Sequence, residues 1–297
     1  MPRFVRVVEV GARDGLQNES TPAPTEAKVH FIEKLAAAGL SVVEATAFVS
    51  PKWVPQLADA EQVMTQIRKR AGVRYPVLTP NLKGLERALS VGATEIAIFT
   101  AASESFCQRN LNRSIEQSLQ EYEVVVREAK VAGCWVRGYV STALVCPYEG
   151  AIAPEVVKPI VERLLTMGVD EVSLGDTIGA SVPTQVARLT ETLLPILPLE
   201  RFAYHFHNTY GTALANVLTA LQMGVWIYDS SAGGLGGCPF APGASGNLAT
   251  EDLLYMLHGM GIQTGVDLAG VVEAARDILS DLQRAAPPSS YLKACRL

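Results

Sequence analysis

Along this chain, short runs of β-branched and apolar residues alternate with longer stretches whose apolar positions recur every three to four residues. The short runs are VRVVEV (5–10), SVVEATA (41–47), VRYPVL (73–78), TEIAIFT (94–100), VRGYVSTAL (136–144), DEVSLGD (170–176), RFAYHFH (201–207) and VWIYDSS (225–231). Each has the length of a strand, and helical-period segments separate them. In SIEQSLQEYEVVVREAKVAG, for example, Ile115, Leu119, Tyr122 and Val126 fall close to one helical face. Gly39, Gly92, Gly133, Gly168 and Gly224 stand where a helical segment ends before the next strand, as a left-handed helix stop requires. Eight such units predict an α/β protein built as a parallel (β/α)₈ barrel. A doubly wound sheet usually carries a glycine fingerprint after its first strand, and GARDGLQNE is not G-x-G-x-x-G. The barrel is predicted over 1–265. Residues 266–297 are predicted as an additional C-terminal helix and a tail beyond the PPSS breaker, packed on or beside the barrel.

Polar residues interrupt this pattern mainly at strand ends. The first strand runs into Arg13 and Asp14, the second carries Glu44, and the sixth ends at Asp176 and Thr177. The seventh ends at His205 and His207, and the glycine-rich GGLGGCPFAPGASGN follows the eighth. Barrels assemble their active sites at the C-terminal ends of the strands, so these residues are expected to converge. His205 and His207, two apart on a strand, point to the same face. A histidine pair alone is more often structural, but Asp14 and Asn247 add a carboxylate and a carboxamide oxygen. That N₂O₂ set, with no cysteine ligand, suits octahedral Mg²⁺ or Mn²⁺ better than closed tetrahedral zinc. Arg13, which cannot deprotonate, is either a rim salt bridge or a fixed cation for an oxygen that becomes negative. Glu44 is either the partner of such an arginine or a supporting acid or base. Cys238 sits in a glycine-rich loop, a poor place to bury a thiol, and is a candidate proton donor.

Composition narrows the setting without changing the fold. Hydrophobic residues make up 48% of the 297 and charged residues 19%, with mean hydropathy +0.19 and net charge −5. That is core-forming material, with no apolar run long enough to span a membrane and no basic block for nucleic acid. Five cysteines, odd in number and without C-x-x-C, argue against a disulfide framework and for a reducing, cytoplasmic setting. The N-terminus runs directly into a strand pattern rather than a signal-peptide core. The terminal CRL is a weak echo of a peroxisomal address and carries little weight.

Six motifs, VEVGARDGLQNE, FVSPKWVPQ, LTPNLKG, EVSLGDTIG, HFHNTYGTALAN and GGLGGCPFAPGASGN, occur in order between about residues 5 and 270. Together they resemble the 3-hydroxy-3-methylglutaryl-CoA lyase family. The resemblance implies metal-dependent cleavage of (S)-3-hydroxy-3-methylglutaryl-CoA to acetyl-CoA and acetoacetate, in leucine degradation or ketone-body metabolism. It implies metal ligands at Asp14, His205, His207 and Asn247, and reaction roles for Arg13, Asp14, Glu44, Asp176, His205 and Cys238. Substrate contacts are implied at Arg13, Gln17, Lys83, Asn110, Ser114 and Thr177. The expected partners are an acyl-CoA substrate and further copies of the chain in a dimer or higher oligomer, with neither nucleic acid nor membrane. Arg113, Thr142 and Asn208 depart from the residues frequent in the family. Three rival readings are a lyase for a longer-chain 3-hydroxy-glutaryl-CoA, a metal-dependent aldolase for free oxo-acids, and a catalytically silent barrel used as a scaffold.

Overall fold

The computed structural model describes residues 1–237, 246–284 and 288–295. Its strands are β1 (Arg6–Glu9), β2 (Val42–Val43), β3 (Thr46–Ala47), β4 (Val77–Leu78), β5 (Glu95–Ala101), β6 (Trp135–Ser141), β7 (Val145–Cys146), β8 (Gly150–Ala151), β9 (Glu171–Asp176), β10 (Phe202–Phe206) and β11 (Ile227–Ser230). One parallel sheet runs in the order β2-β1-β11-β10-β9-β6-β5-β4-β3. Its two end members, β2 and β3, are halves of the single predicted strand 41–47. Glu44 N–H donates to Glu9 O and Ala45 N–H to Pro76 O across the break, so the sheet closes into a barrel. Ala47 packs with Tyr139, Leu78 and Ala97 inside, while Val43 and Ala45 pack outside. Glu44 also faces inward, so the side-chain phase slips by one residue at the break, as in a bulge.

All eight predicted strands overlap an observed one. The fifth stops at Ser141 because Thr142 takes φ +51°, a left-handed conformation that ends the ladder. The antiparallel hairpin β7–β8 had no predicted counterpart, since two-residue strands are too short to show alternation. Helices cover the outside, among them Thr25–Ala37, Ile115–Val131, Pro154–Met167 and Ala213–Gln222. Gly39 and Gly168, at φ +98° and +94°, end two helical segments as predicted, and a Cβ on Gly39 would lie 2.3 Å from Gly265 O. Helix Leu268–Asp281 packs against Thr25–Ala37 and Thr250–Gly259, and the short helix Ser290–Ala294 packs on Thr250–Gly259. No helix among the described residues is long and apolar enough to cross a membrane.

Alternation sorts the side chains into two shells. Val136, Val140, Val172, Leu174, Phe202, Tyr204, Phe206 and Tyr228 face the helices and build the main core. Their neighbours on the opposite face, Arg137, Tyr139, Glu171, Ser173, His205 and Asp229, meet one another inside the barrel. Much of the lumen is therefore polar and charged, and this polarity leads upward to the site.

Candidate metal and substrate site

The turn after β1 is unusually wide. The N–H groups of Arg13, Asp14 and Gly15 all approach Val10 O, at 3.2, 2.7 and 3.2 Å. This wide helical turn, Gly11–Gly15, presents Arg13 and Asp14 side by side at the barrel mouth. Two elements bring the remaining donors to it. Parity on β10 turns His205 and the following His207 inward. The segment beginning at Gly246 folds back over the strand ends, where Asn208 N–H donates to Gly246 O and Leu248 N–H to Phe206 O. That return pairs Asn247 with His207.

Ligand atoms of Asp14, His205 and His207 lie within 4.8 Å of one another. The two Nε2 atoms are 3.1 Å apart, and Asp14 Oδ2 is 3.9 Å from His205 Nε2. Asn247 Nδ2 donates to Asp14 Oδ2 at 2.8 Å, while its buried Oδ1 has no hydrogen-bond partner among the described residues. Two imidazole nitrogens turned toward each other, an ionised carboxylate and an orphaned buried oxygen fit a hard or borderline divalent cation. Burial would raise the Asp14 carboxyl, but Arg13, then His205 and His207, hold it down at about 2. Burial, then His205, lowers His207 to about 3, whereas His205 is raised by Asp229 against its burial.

Arg13 closes one side. Its Nε donates to Glu44 Oε2 and its Nη1 to Asp14 Oδ1, both at 2.8 Å, and Nη2 lies 2.8 Å from Glu44 Oε2. A guanidinium carries five N–H donors, so the second N–H on each terminal nitrogen is left for a ligand. Tyr139 OH donates to the same Glu44 oxygen at 3.2 Å, and its ring lies 5.4 Å below the guanidinium carbon.

Above the donors opens a cleft of about 650 Å³. Gln17, Asn110 and Thr177 line it, as do Trp53 and Arg109 at its outer part. Lys83, by contrast, is exposed on helix Leu82–Ser90 and is not among the lining residues, where Pro80 and Asn81 stand instead. Ser114 does not line the cleft either. Its hydroxyl accepts Gln117 N–H and caps helix Ile115–Val131. Gly237 lines the cleft, and Cys238 lies outside the described residues.

Asp176 is near the site but turned from it. On β9 it shares parity with Val172 and Leu174, which face the helices. Its carboxylate accepts Ser181 Oγ at 2.7 Å and the N–H groups of Ala180 and Ser181, and burial pushes it up to about 6. It anchors the turn that sets Gly179 against His207, where an added Cβ would stand 2.7 Å from His207 O.

The residues behind the site were not singled out from sequence. Asp229 Oδ2 lies 3.2 Å from His205 Nδ1, and Arg137 donates to Asp229 Oδ1 at 2.6 Å and to Tyr139 OH at 3.0 Å. A signal was present for one pair: Arg137 and Tyr139 are polar at i, i+2 in a strand that is otherwise largely apolar, whereas Asp229 is followed by two serines and shows no alternation. Parity marks Arg137 and Tyr139 as lumen residues.

Comparison with known proteins agrees with this architecture. The HMGL-like family matches residues 4–278. The cytoplasmic 3-hydroxy-3-methylglutaryl-CoA lyase of Rattus norvegicus is 56% identical over 92% of this chain and 80% of that protein. The mitochondrial hydroxymethylglutaryl-CoA lyase of Bos taurus is 53% identical over 100% of this chain and 91% of its own. The crystal structure of hydroxymethylglutaryl-CoA lyase from Pseudomonas aeruginosa superposes with a TM-score of 0.97 at 48% identity, covering 99% of this chain and 98% of that one. This chain belongs to the 3-hydroxy-3-methylglutaryl-CoA lyase family.

Proposed function

We propose that this chain is a divalent-metal-dependent carbon–carbon lyase that cleaves 3-hydroxy-3-methylglutaryl-CoA to acetyl-CoA and acetoacetate. The observation that carries this reading is the convergence of Asp14, His205 and His207 beside Arg13 on the floor of one cleft. Asp14, His205, His207 and Asn247 would hold Mg²⁺ or Mn²⁺, and the ion would supply Lewis acidity to the substrate's tertiary hydroxyl.

The remaining chemistry falls to the chain. Asp14 is the group of the chain able to take the hydroxyl proton at that end of the cleft, since His205 would give its Nε2 electron pair to the ion and lies against Asp229 through Nδ1. As C2–C3 breaks, its electron pair passes into the thioester, and the free N–H groups of Arg13 stabilise the charge that develops on the thioester oxygen. Glu44 and Tyr139 hold Arg13 so that its donors are set before substrate arrives. Cys238, next in the chain to the cleft residue Gly237, is the proposed donor of the proton that converts the enolate carbon to the methyl of acetyl-CoA. Gln17, Asn110 and Thr177 are proposed substrate contacts along the wall. Lys83 and Ser114 are weaker candidates, one outside the cleft and one engaged as a helix cap. Asp176 supports the site through the turn at 177–181. A role in leucine degradation and a cytoplasmic location are consistent with the family, whose members carry both cytoplasmic and mitochondrial names.

The deciding experiment is turnover of the thioester by chelator-stripped protein, without and with added Mg²⁺ or Mn²⁺. Activity should vanish on stripping and return with the ion. Full turnover by protein shown to be metal-free would end the metal reading, and equal turnover of the free acid would favour an aldolase.

A further inference from the structure

We propose that Asp229 is a positioning residue for the metal site, fixing His205 as the tautomer protonated on Nδ1 so that Nε2 keeps a free electron pair toward Asp14 and His207. This rests on the metal reading above and extends it to a residue that touches neither ion nor substrate. His205 and Asp229 are directly paired in the parallel register of β10 and β11, and parity turns both inward. Asp229 Oδ2 comes within 3.2 Å of His205 Nδ1.

The other hydrogen-bond partners of that carboxylate among the described residues are donors. Ser173 Oγ donates to Oδ2 at 2.9 Å, and Arg137 Nη2 donates to Oδ1 at 2.6 Å. Arg137 is itself pinned by an ion pair to Glu171 at 2.9 Å and by its bond to Tyr139 OH. An Asp229 surrounded by donors acts only as an acceptor, so the hydrogen between it and His205 belongs to the imidazole. A neutral ring with hydrogen on Nδ1 has its lone pair on Nε2, the atom turned toward Asp14 and His207. A ring with hydrogen on Nε2 has no pair to give there. Among the described residues no carboxylate backs His207, whose Nδ1 is buried without a hydrogen-bond partner there. His205 is therefore the ligand whose electron pair the barrel itself orients.

Asp229→Asn tests this with little change of shape. The amide can aim its NH₂ at Nδ1, which favours hydrogen on Nε2. Mn²⁺ binding to the stripped full-length variant, measured by calorimetry, should weaken about 10–100-fold. In protein carrying ¹⁵N-histidine, at alkaline pH where the ring is neutral, the nitrogen shifts of wild-type His205 should report Nδ1–H, and those of the variant Nε2–H. A folded variant that binds Mn²⁺ within about twofold of wild type overturns the proposal. So does an Nε2-protonated His205 in wild type, a readout that needs no variant to fold and no ion to bind. Wild-type protein that takes up no Mn²⁺ would instead sink the metal reading, a separate result from the tautomer.

Discussion

The carboxylates on the inner face of the barrel differ sharply from those on its outer face. Inside, Asp14, Glu44 and Asp229 each touch a guanidinium, that of Arg13 or Arg137. Outside, Glu9, Asp176 and Glu251 are equally buried, and among the described residues they accept only from N–H and hydroxyl donors. The consequence is chemical. Arg13 and Arg137 hold Asp14 and Asp229 below the usual carboxyl range against burial. Burial lifts Glu9 to about 7 and Glu251 to about 8, since neutral donors offset too little of the desolvation. Position in the fold does not decide charge here; how far an arginine's attraction offsets burial does. Glu44 sits between the two cases, its carboxyl pushed up by burial against the pull of Arg13.

The largest effect expected from this contrast is on folding. Glu44→Ala strips a buried guanidinium of its main partner and should cost about 3–5 kcal/mol in urea unfolding. A cost under about 1 kcal/mol would mean that the inner pairs are solvated after all. Next, Arg13→Met should lower kcat by about 10²–10³-fold, or roughly 2.7–4 kcal/mol, the range for losing one donor to a developing oxyanion. A change confined to KM would assign Arg13 to binding alone. Removal of a neutral donor on the outer face should matter less. Ser181→Ala deletes one of the bonds to Asp176 and should cost about 0.5–1.5 kcal/mol by thermal melting.

The smallest effect is a slope. Glu251 binds a proton more tightly folded than unfolded, so its contribution is whole below pH 4.5 and is lost as pH rises through about 8. Glu251→Gln should therefore flatten the fall in melting temperature across that window. An unchanged slope would show that Glu251 does not titrate there.

Much of this was legible in the sequence where the information is local. The eight strand runs, the glycine stops and the shared face of His205 and His207 each depend on a few adjacent residues. The grouping of Asp14, His205 and His207 needed only the rule that barrel sites gather at strand ends. What escaped depended on register between distant strands: nothing near Asp229 says that it lies beside His205, or that Arg137 stands behind it. Asp176 is marked by its place at a strand end, and alternation from Val172 and Leu174 adds that its carboxylate points outward, where it holds the turn at 180–181. Ser114, an expected substrate contact, also opens Ser-x-x-Gln, a helix-cap pattern, and its hydroxyl caps helix Ile115–Val131.

The close approach of Gly179 to the backbone of His207 has a consequence of its own. The strand end bearing a metal ligand is wedged against a residue with no side chain, so even one methyl group there would act as a lever on the imidazole. Position 179 is thus constrained by volume rather than by reactivity, and natural or engineered variation that leaves every donor intact would still be filtered at that spot.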